Sequence, residues 1–418
     1  MLRSVRLQNF RSFEDTGPVE LRKLNILIGS NNAGKTSFLS AVELFLRSRH
    51  ASNPHGPLAF EEMPAFASFD SVLRRHWSPG EQRPQEFVLS YDWGLAKGLL
   101  SSQFVCRGHT RDNTAYVARA AYKLGNASIV VEPKTPRPRR PEYLLTVGKK
   151  RFVEKGLFFH GLLPLSRHRR TREFVPLLEA AERFISLEVV HPYRPVPRSF
   201  YVLDDPGLAR EDRELLAFLI RIWNSDDKRD RRVRERIVKS LGTLRLARQF
   251  NVTQVSKRLG PKVFEIRVSP TIRRQRVTIA DAGFGLSQAL PLVAYDARLG
   301  GGSFIAYQPE VHLHPFAQSR LADIFAQSIE RGNQVFIETH SPDLILRLQL
   351  KLARRQLSPA DLRVFCFESK EGRSRVTPVD LNSKGAPQVP WPAGFLDTSL
   401  GTARELAADR VKRRRHVP

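Results

Sequence analysis

The chain has 418 residues, 41% of them hydrophobic, enough for a full core and for roughly two or three domain-sized lobes. Its 68 Lys and Arg against 42 Asp and Glu give a formal charge of +26. Arginine-for-lysine drift leaves that excess unexplained; binding of a nucleic acid or another polyanion is its simplest cause, and a surface that meets an acidic partner protein is the alternative. Two distant cysteines, Cys106 and Cys366, argue against a disulfide framework or a Cys-based zinc site; no apolar run reaches the roughly eighteen residues of a membrane span, and Met1 to Arg11 lacks a secretory signal, so a cytoplasmic protein with no membrane contact is expected.

In chain order, Leu2 to Gln8 reads as a strand, and Leu24 to Ile28 as a fully buried strand ending at Gly29. From Lys35 to Leu46 apolar residues recur at helical spacing. Residues 48–84 read as irregular with a Pro-rich loop. Short strand-like runs follow at Phe87 to Tyr91, Tyr116 to Ala121, Ser128 to Val131 and Tyr143 to Val147. Between Pro133 and Pro141 lies an extended basic loop with Lys134, Arg137, Arg139 and Arg140. Residues 156–250 read as mainly helical, with helices at Phe174 to Phe184, Arg210 to Trp223 and Lys228 to Leu246; the last carries a cationic face including Arg231, Arg232 and Arg236. Strand returns at Phe264 to Val268 and Arg276 to Ile279. Strand-like runs then alternate with helices from Ser303 to Phe367, the pattern of a mostly parallel, covered sheet. The tail from Arg410 to Arg415 is basic. Three regions are expected: an N-terminal lobe over 1–155, a mainly helical insertion over 156–262 and a C-terminal lobe over 263–418.

Gly29 to Thr36 matches G-x-x-x-x-G-K-[ST], between an apolar strand and an amphipathic helix. Glycines let such a turn aim backbone N–H groups at a phosphate; Lys35 reaches the β/γ-phosphates and the Thr36 hydroxyl ligates Mg²⁺. Three later segments are polar ends of apolar elements. Asp281 to Gln288 is a Gly/Ser turn opening a helix, a sensible second anion site but by itself an ordinary cap. Tyr307-Gln308-Pro309-Glu310 with His312 and His314 follows a strand; the two imidazoles and the glutamate invite a metal reading, but their spacing shows no third ligand. Glu338-Thr339-His340-Ser341-Pro342 ends another buried strand in a histidine.

Together these segments resemble the SMC/RecF/OLD superfamily of ABC-type ATPases. Leu7-Gln-Asn9-Phe10-Arg11-Ser12-Phe13 looks like the family opening, whose arginine lies near the nucleotide. GSNNAGKTS is similar to its Walker A, GFGLSQ to its signature, YQPEVHLHP to its Walker B and D-loop, and ETHSP to its switch-histidine loop. Trp391-Pro-Ala-Gly394-Phe395-Leu-Asp397 resembles the closing motif of a bacterial subgroup. The resemblance implies an α/β fold: a P-loop ABC-ATPase head with a mixed, mainly parallel sheet, an antiparallel β region and a helical insertion. It also implies ATP and Mg²⁺ as cofactors and a head-to-head dimer, with possible higher oligomers, in which each ATP touches Walker A of one subunit and the signature Ser287 of the other. The residues it places on ATP are Arg11, Asn31, Asn32, Gly34, Lys35, Thr36, Ser37, Gly285, Ser287 and Gln288. Gln308, Glu310 and His340 fall at its catalytic positions.

The departures bear on mechanism. Tyr307 stands where the family has its Mg²⁺-ordering carboxylate, and Gln308 where it has the glutamate that polarises water. A phenol with a pKa near 10 is a poor hard-cation ligand, and an amide accepts no proton from water. Firm ATP binding with weak hydrolysis is expected, partly offset by Glu310 or Glu338. No long heptad arm is present, and too few residues follow His340 for the nuclease domain of OLD proteins. The expected role is a nucleotide-controlled sensor or scaffold in anti-phage defence, with a separate effector or toxin protein. Arg137, Arg139, Arg140, Arg169, Arg170, Arg231, Arg232 and Arg236 are the nucleic-acid candidates. The alternatives are a RecF-like DNA-repair ATPase with DNA-stimulated hydrolysis, or a non-catalytic interaction protein.

Overall fold

The structure is a computed structural model, and it describes residues 1–49, 52–53, 56–66, 68–74, 82–95, 98–135, 142–155, 157–165, 186–194, 196–255, 262–271 and 275–391. The chain forms two compact units. The first holds Met1–Leu187 with Arg363–Pro378, the second Glu188–Leu362 with Val379–Pro418.

In chain order the first unit carries β1 (Leu2–Phe10), β2 (Phe13–Asp15), β3 (Val19–Glu20), β4 (Leu24–Gly29), α1 (Lys35–Ser48), β5 (Ser52–Asn53), α2 (Phe69–Val72), β6 (Glu86–Leu95), β7 (Gly98–Gly108), β8 (Ala115–Leu124), β9 (Ala127–Pro133), β10 (Glu142–Val147), β11 (Lys150–Lys155), β12 (Phe158–His160) and β13 (Leu163–Leu165). The second carries β14 (Leu187–Val190), β15 (Tyr201–Val202), α3 (Arg210–Trp223), α4 (Lys228–Thr243), β16 (Ala247–Gln254), β17 (Val263–Pro270), β18 (Val277–Thr278), α5 (Phe284–Arg298), β19 (Ser303–Tyr307), α6 (Pro315–Glu330), β20 (Gln334–Glu338) and α7 (Pro342–Ala353). β21 (Leu362–Lys370) and β22 (Arg373–Val379) lead back into the first unit.

In the first unit β11 to β6 run as an antiparallel meander onto β1. β6 alternates buried and half-buried residues, the pattern of a sheet with one covered face. The cover is α1, which is buried on most of its surface and so has partners on more than one side. Phe45 stacks on Tyr91 at 4.2 Å, and the Tyr91 hydroxyl donates to Ala41 O at 2.8 Å. On another side Phe38 meets Phe367 of β21 edge-on at 5.6 Å. Helix α1 is therefore fixed by aromatic packing along its length, which fixes its N-terminus too.

In the second unit β19 and β20 pair in parallel, with Tyr307 opposite Glu338, and every residue of both strands is buried. Such strands read as continuous apolar runs because helices cover both faces. Helices α5, α6 and α7 have Gly283, His314 and Ser341 at their N-cap positions, each just after the polar end of a turn or strand. β16 and β17 form an antiparallel hairpin joined by β15 and β18.

The structure departs from the expected elements at definite points. β7 is absent from the expected strands: its Ser101, Ser102 and Gln103 blur the apolar alternation, although Ser102 is buried and its hydroxyl donates to Tyr91 O at 3.2 Å. The stretch read as mainly helical over 156–250 contains strands β12 to β15. Its last helix stops at Thr243 rather than Leu246, because Arg245 turns into positive φ (56°) and β16 begins at Ala247. The helix expected at Phe174 to Phe184, the arginines Arg137, Arg139, Arg140, Arg169 and Arg170, the tail Arg410 to Arg415 and most of the motif after Trp391 lie outside the described residues.

Candidate nucleotide site

The first unit holds the phosphate-loop residues. β4 delivers the chain to Gly29, whose φ of 139° and whose absent Cβ, which would lie 2.1 Å from Phe367 O, demand glycine. Asn32 takes a φ of 60° and Gly34 one of 97°, so the backbone curls before α1 begins. A Cβ at Gly34 would sit 2.8 Å from both Phe13 Cζ and Ser374 Oγ. No side chain caps α1 at Gly34 and no acidic residue stands in its first turn, so its dipole favours an anion there. Lys35 is buried, and its Nζ donates to Gly29 O at 3.0 Å and Ser30 O at 2.7 Å, folding the ammonium back over the loop. Thr36, Asn31 and Asn32 are exposed. Arg11, at φ 53° in the turn between β1 and β2, donates to Ser37 Oγ at 3.3 Å and Ala65 O at 2.7 Å. Arg11, Lys35, Thr36 and Ser37 thus share the N-terminal end of α1, and the cradle is polyphosphate-shaped: cations and N–H donors at the start of a helix whose first turn holds no acidic residue. We expect Gly29→Ala to abolish nucleotide binding while costing on the order of 1–3 kcal/mol of stability, as a clash and a strained φ coincide; a nucleotide titration beside a thermal melt checks both.

The second unit gathers the other motif residues. Gly283 (φ 95°) opens α5 without a side-chain cap, and Gly285 faces His312 O, 3.2 Å from where a Cβ would lie. Ser287 is nearly buried, its hydroxyl donating to Phe284 O at 2.7 Å, and Gln288 is buried. At the end of β19 the Tyr307 ring is buried and stacks on His191, centroids 5.3 Å apart and planes 13° from parallel. Gln308 adopts φ 44°, its N–H donating to Glu338 O at 2.7 Å. Glu310 is buried; its Oε1 accepts the His340 N–H at 2.7 Å, while its Oε2 has no hydrogen-bond partner among the described residues. Burial pushes the Glu310 carboxyl up from its ordinary value, against the pull of the His340 N–H, its own N–H, the Thr339 hydroxyl and Arg194.

The histidines that invited a metal reading have other partners. His312 meets Phe284 edge-on at 4.9 Å, and His314 Nδ1 accepts the Phe316 N–H at 3.2 Å as the cap of α6. Among the described residues no group of three or more His, Cys, Asp or Glu is placed to hold a metal.

One residue escaped sequence reasoning. Arg194, in the loop after β14, is 6% exposed and donates to Gln288 O at 2.9 Å, Gln308 O at 3.3 Å and its own loop's His191 O at 3.2 Å. It ties the start of α5 to the turn after β19. Burial lowers its guanidinium to about 10, and the nearby Glu310 carboxylate opposes that fall. A single arginine between two prolines carries no periodicity, so no pattern in the sequence marks it.

Of the cationic candidates, Arg231 and Arg232 are exposed, as are Lys228 and Lys239 on the same helix, and none of the four has a carboxylate partner among the described residues. Arg236 differs: it is half-buried and donates to Ala297 O at 3.2 Å, closing the end of α5. Lys134 is paired with Glu142 at 3.3 Å.

Residues 1–87 and 227–345 match the family described as AAA ATPase domain. An "ATP/GTP phosphatase" of Helicobacter pylori (strain ATCC 700392 / 26695) is 48% identical over 42 residues, a match covering 10% of this chain and 11% of that protein. Among solved structures, an SMC head bound to the C-winged helix domain of ScpA superposes with a TM-score of 0.50 at 13% identity, covering 91% of this chain and 98% of that one. The SMC head with a coiled coil and joint from Pyrococcus yayanosii superposes at 0.48 with 10% identity, over 97% and 99% of the two chains.

Proposed function

We propose that this chain, an ATP-binding protein with an AAA ATPase domain and the α/β fold of an SMC-type head, is a slow clamp: it holds ATP firmly, hydrolyses it weakly and uses the bound state to control a partner. The observation that carries this reading is the end of β19. A buried, stacked phenol and an amide in a left-handed turn occupy the positions where a carboxylate pair would order the cation and accept a proton from water. The phosphate cradle fits ATP: Lys35 lies over Gly29 and Ser30 carbonyls that a phosphate would displace, and the uncapped α1 supplies N–H donors. For Mg²⁺ the fit is partial, with the Thr36 hydroxyl as the ligand that the phosphate loop contributes. When bound, the cation would neutralise charge on the phosphate oxygens. Glu310, its Oε2 without a donor among the described residues, is a group left to take a proton beside Glu338, which fits a low but finite rate.

Dimerisation through Ser287 of the facing subunit, membership of the bacterial subgroup and a separate effector protein in anti-phage defence belong to the same proposal and rest on the resemblance of motifs. Contact with nucleic acid is supported by the +26 formal charge and by the exposed cations Lys228, Arg231, Arg232 and Lys239 of α4.

The test is nucleotide content and turnover of the purified protein, with and without double-stranded DNA. The clamp predicts co-purified ATP and turnover far below the roughly 10 s⁻¹ of an ordinary enzyme, and a Lys35→Ala protein that folds but comes out empty. Brisk DNA-stimulated hydrolysis would overturn it in favour of a repair-type ATPase.

A further inference from the structure

The cations of the second unit do not end on α4. In the turn after α4, Arg245 holds its guanidinium over the Phe316 ring at 4.0 Å, and Arg320, one turn into α6, lies over the same ring at 5.1 Å. The carboxylate of Asp323 then takes three cations at once: Arg320 at 3.1 Å, Arg347 of α7 at 2.9 Å and Lys351 of α7 at 2.9 Å. All four side chains are largely withdrawn from solvent, with exposures of 30%, 21%, 12% and 11% for Arg320, Arg347, Lys351 and Asp323. Burial works to raise the Asp323 carboxyl, and the three hydrogen-bonded cations outweigh it and hold it below its ordinary value.

Among the described residues, three cations on one carboxylate leave two positive charges without a carboxylate of their own, and Arg245 adds a third. Packing like charges this closely, partly out of water, is costly unless another anion joins them. The Arg347 Nε is buried with no hydrogen-bond partner among the described residues, so the cluster is incompletely satisfied internally. Guanidinium groups take phosphate oxygens in pairs through their parallel N–H donors, and Arg245 and Arg320 both hold theirs against the Phe316 ring. On α4, Lys228, Arg232 and Lys239 follow one another at four- and seven-residue steps along one face, which runs towards Arg245.

We propose that Arg245, Arg320, Arg347 and Lys351 form a phosphodiester-binding site that seats the backbone of a nucleic acid, continuing the cationic row of α4. This rests on the nucleic-acid part of the reading above and gives it a fixed point. Asp323 is the internal placeholder: it keeps the cations together and competes with the incoming phosphate.

That competition sets the sign of the test. A fluorescein-labelled DNA duplex is titrated with the full chain by anisotropy over a salt series, with ATP present throughout so that Lys35 is occupied. Asp323→Asn, which removes the competitor, is expected to tighten binding about 3- to 10-fold. Lys351→Gln, which removes one contact, is expected to weaken it about as much and to lower the slope of log K against log salt by about 1. A purely structural ion cluster predicts the opposite for Asp323→Asn: a lower melting temperature with DNA affinity unchanged or weaker, and that result overturns the site. Should Asp323→Asn not fold, an unchanged affinity and salt slope for Lys351→Gln overturns it equally. A wild-type chain that binds no duplex at all overturns both this site and the nucleic-acid reading, whereas wild-type binding without the predicted changes sinks the site alone.

Discussion

Replacing Tyr307 by Asp and Gln308 by Glu together is expected to raise ATP turnover about 10²-fold, the lower end of what a positioned general base contributes. The backbone is already suited to it: β19 delivers position 307 buried and in register with Glu338, and position 308 follows in a left-handed turn anchored by the Glu338 carbonyl. The single Tyr307→Asp variant has a second signature. A carboxylate placed in that buried position, opposite Glu338, is raised in pKa by burial and by like charge. The protein should therefore melt several degrees lower without nucleotide, by about 1–3 kcal/mol, and Mg²⁺ with ATP should restore most of the loss. Steady-state turnover and a melting curve with and without Mg²⁺-ATP check both. Turnover that stays at the wild-type level would show that the missing carboxylates are not what limits this chain.

Arg194→Met is expected to cost about 3 kcal/mol of stability, because it strips a charged donor from two buried or half-buried carbonyls in different motifs. Its pH dependence carries a further signature. The folded Glu310 carboxyl binds its proton more tightly than the unfolded one, so its contribution is full below the ordinary carboxylate range and is lost as pH rises through the raised folded value. Arg194 is one of the groups that oppose that rise. Without it the folded value moves further up, the window of loss widens, and the variant should be more destabilised relative to wild type at pH 8 than at pH 5. Denaturant melts at the two pH values decide this; an equal difference at both would mean that Arg194 does not sense the Glu310 charge. Arg194→Lys, which keeps the charge but not the fork, should recover the pH behaviour and only part of the stability.

The parts of this protein that were legible in its sequence are those set by local rules. Gly29 and Gly34 bracket a turn that only glycine backbone conformations allow, Lys35 and Thr36 follow at the spacing that phosphate chemistry needs, and β4, β19 and β20 are mostly apolar runs because they are buried along nearly their whole length. Tyr307 and Gln308 could be singled out before any coordinates, since the chemistry they lack is a property of their side chains. Tertiary structure decided the rest. β7 hid behind Ser and Gln because burial of Ser102 depends on a partner strand, and α4 stops at Thr243 because Arg245 turns back over Phe316. Arg194 joins Gln288 to Gln308, and Arg320, Arg347 and Lys351 converge on Asp323, across sequence separations that no periodicity records. A periodic pattern reports which face of an element is buried; which distant cation meets which carbonyl or carboxylate is fixed only when the elements pack.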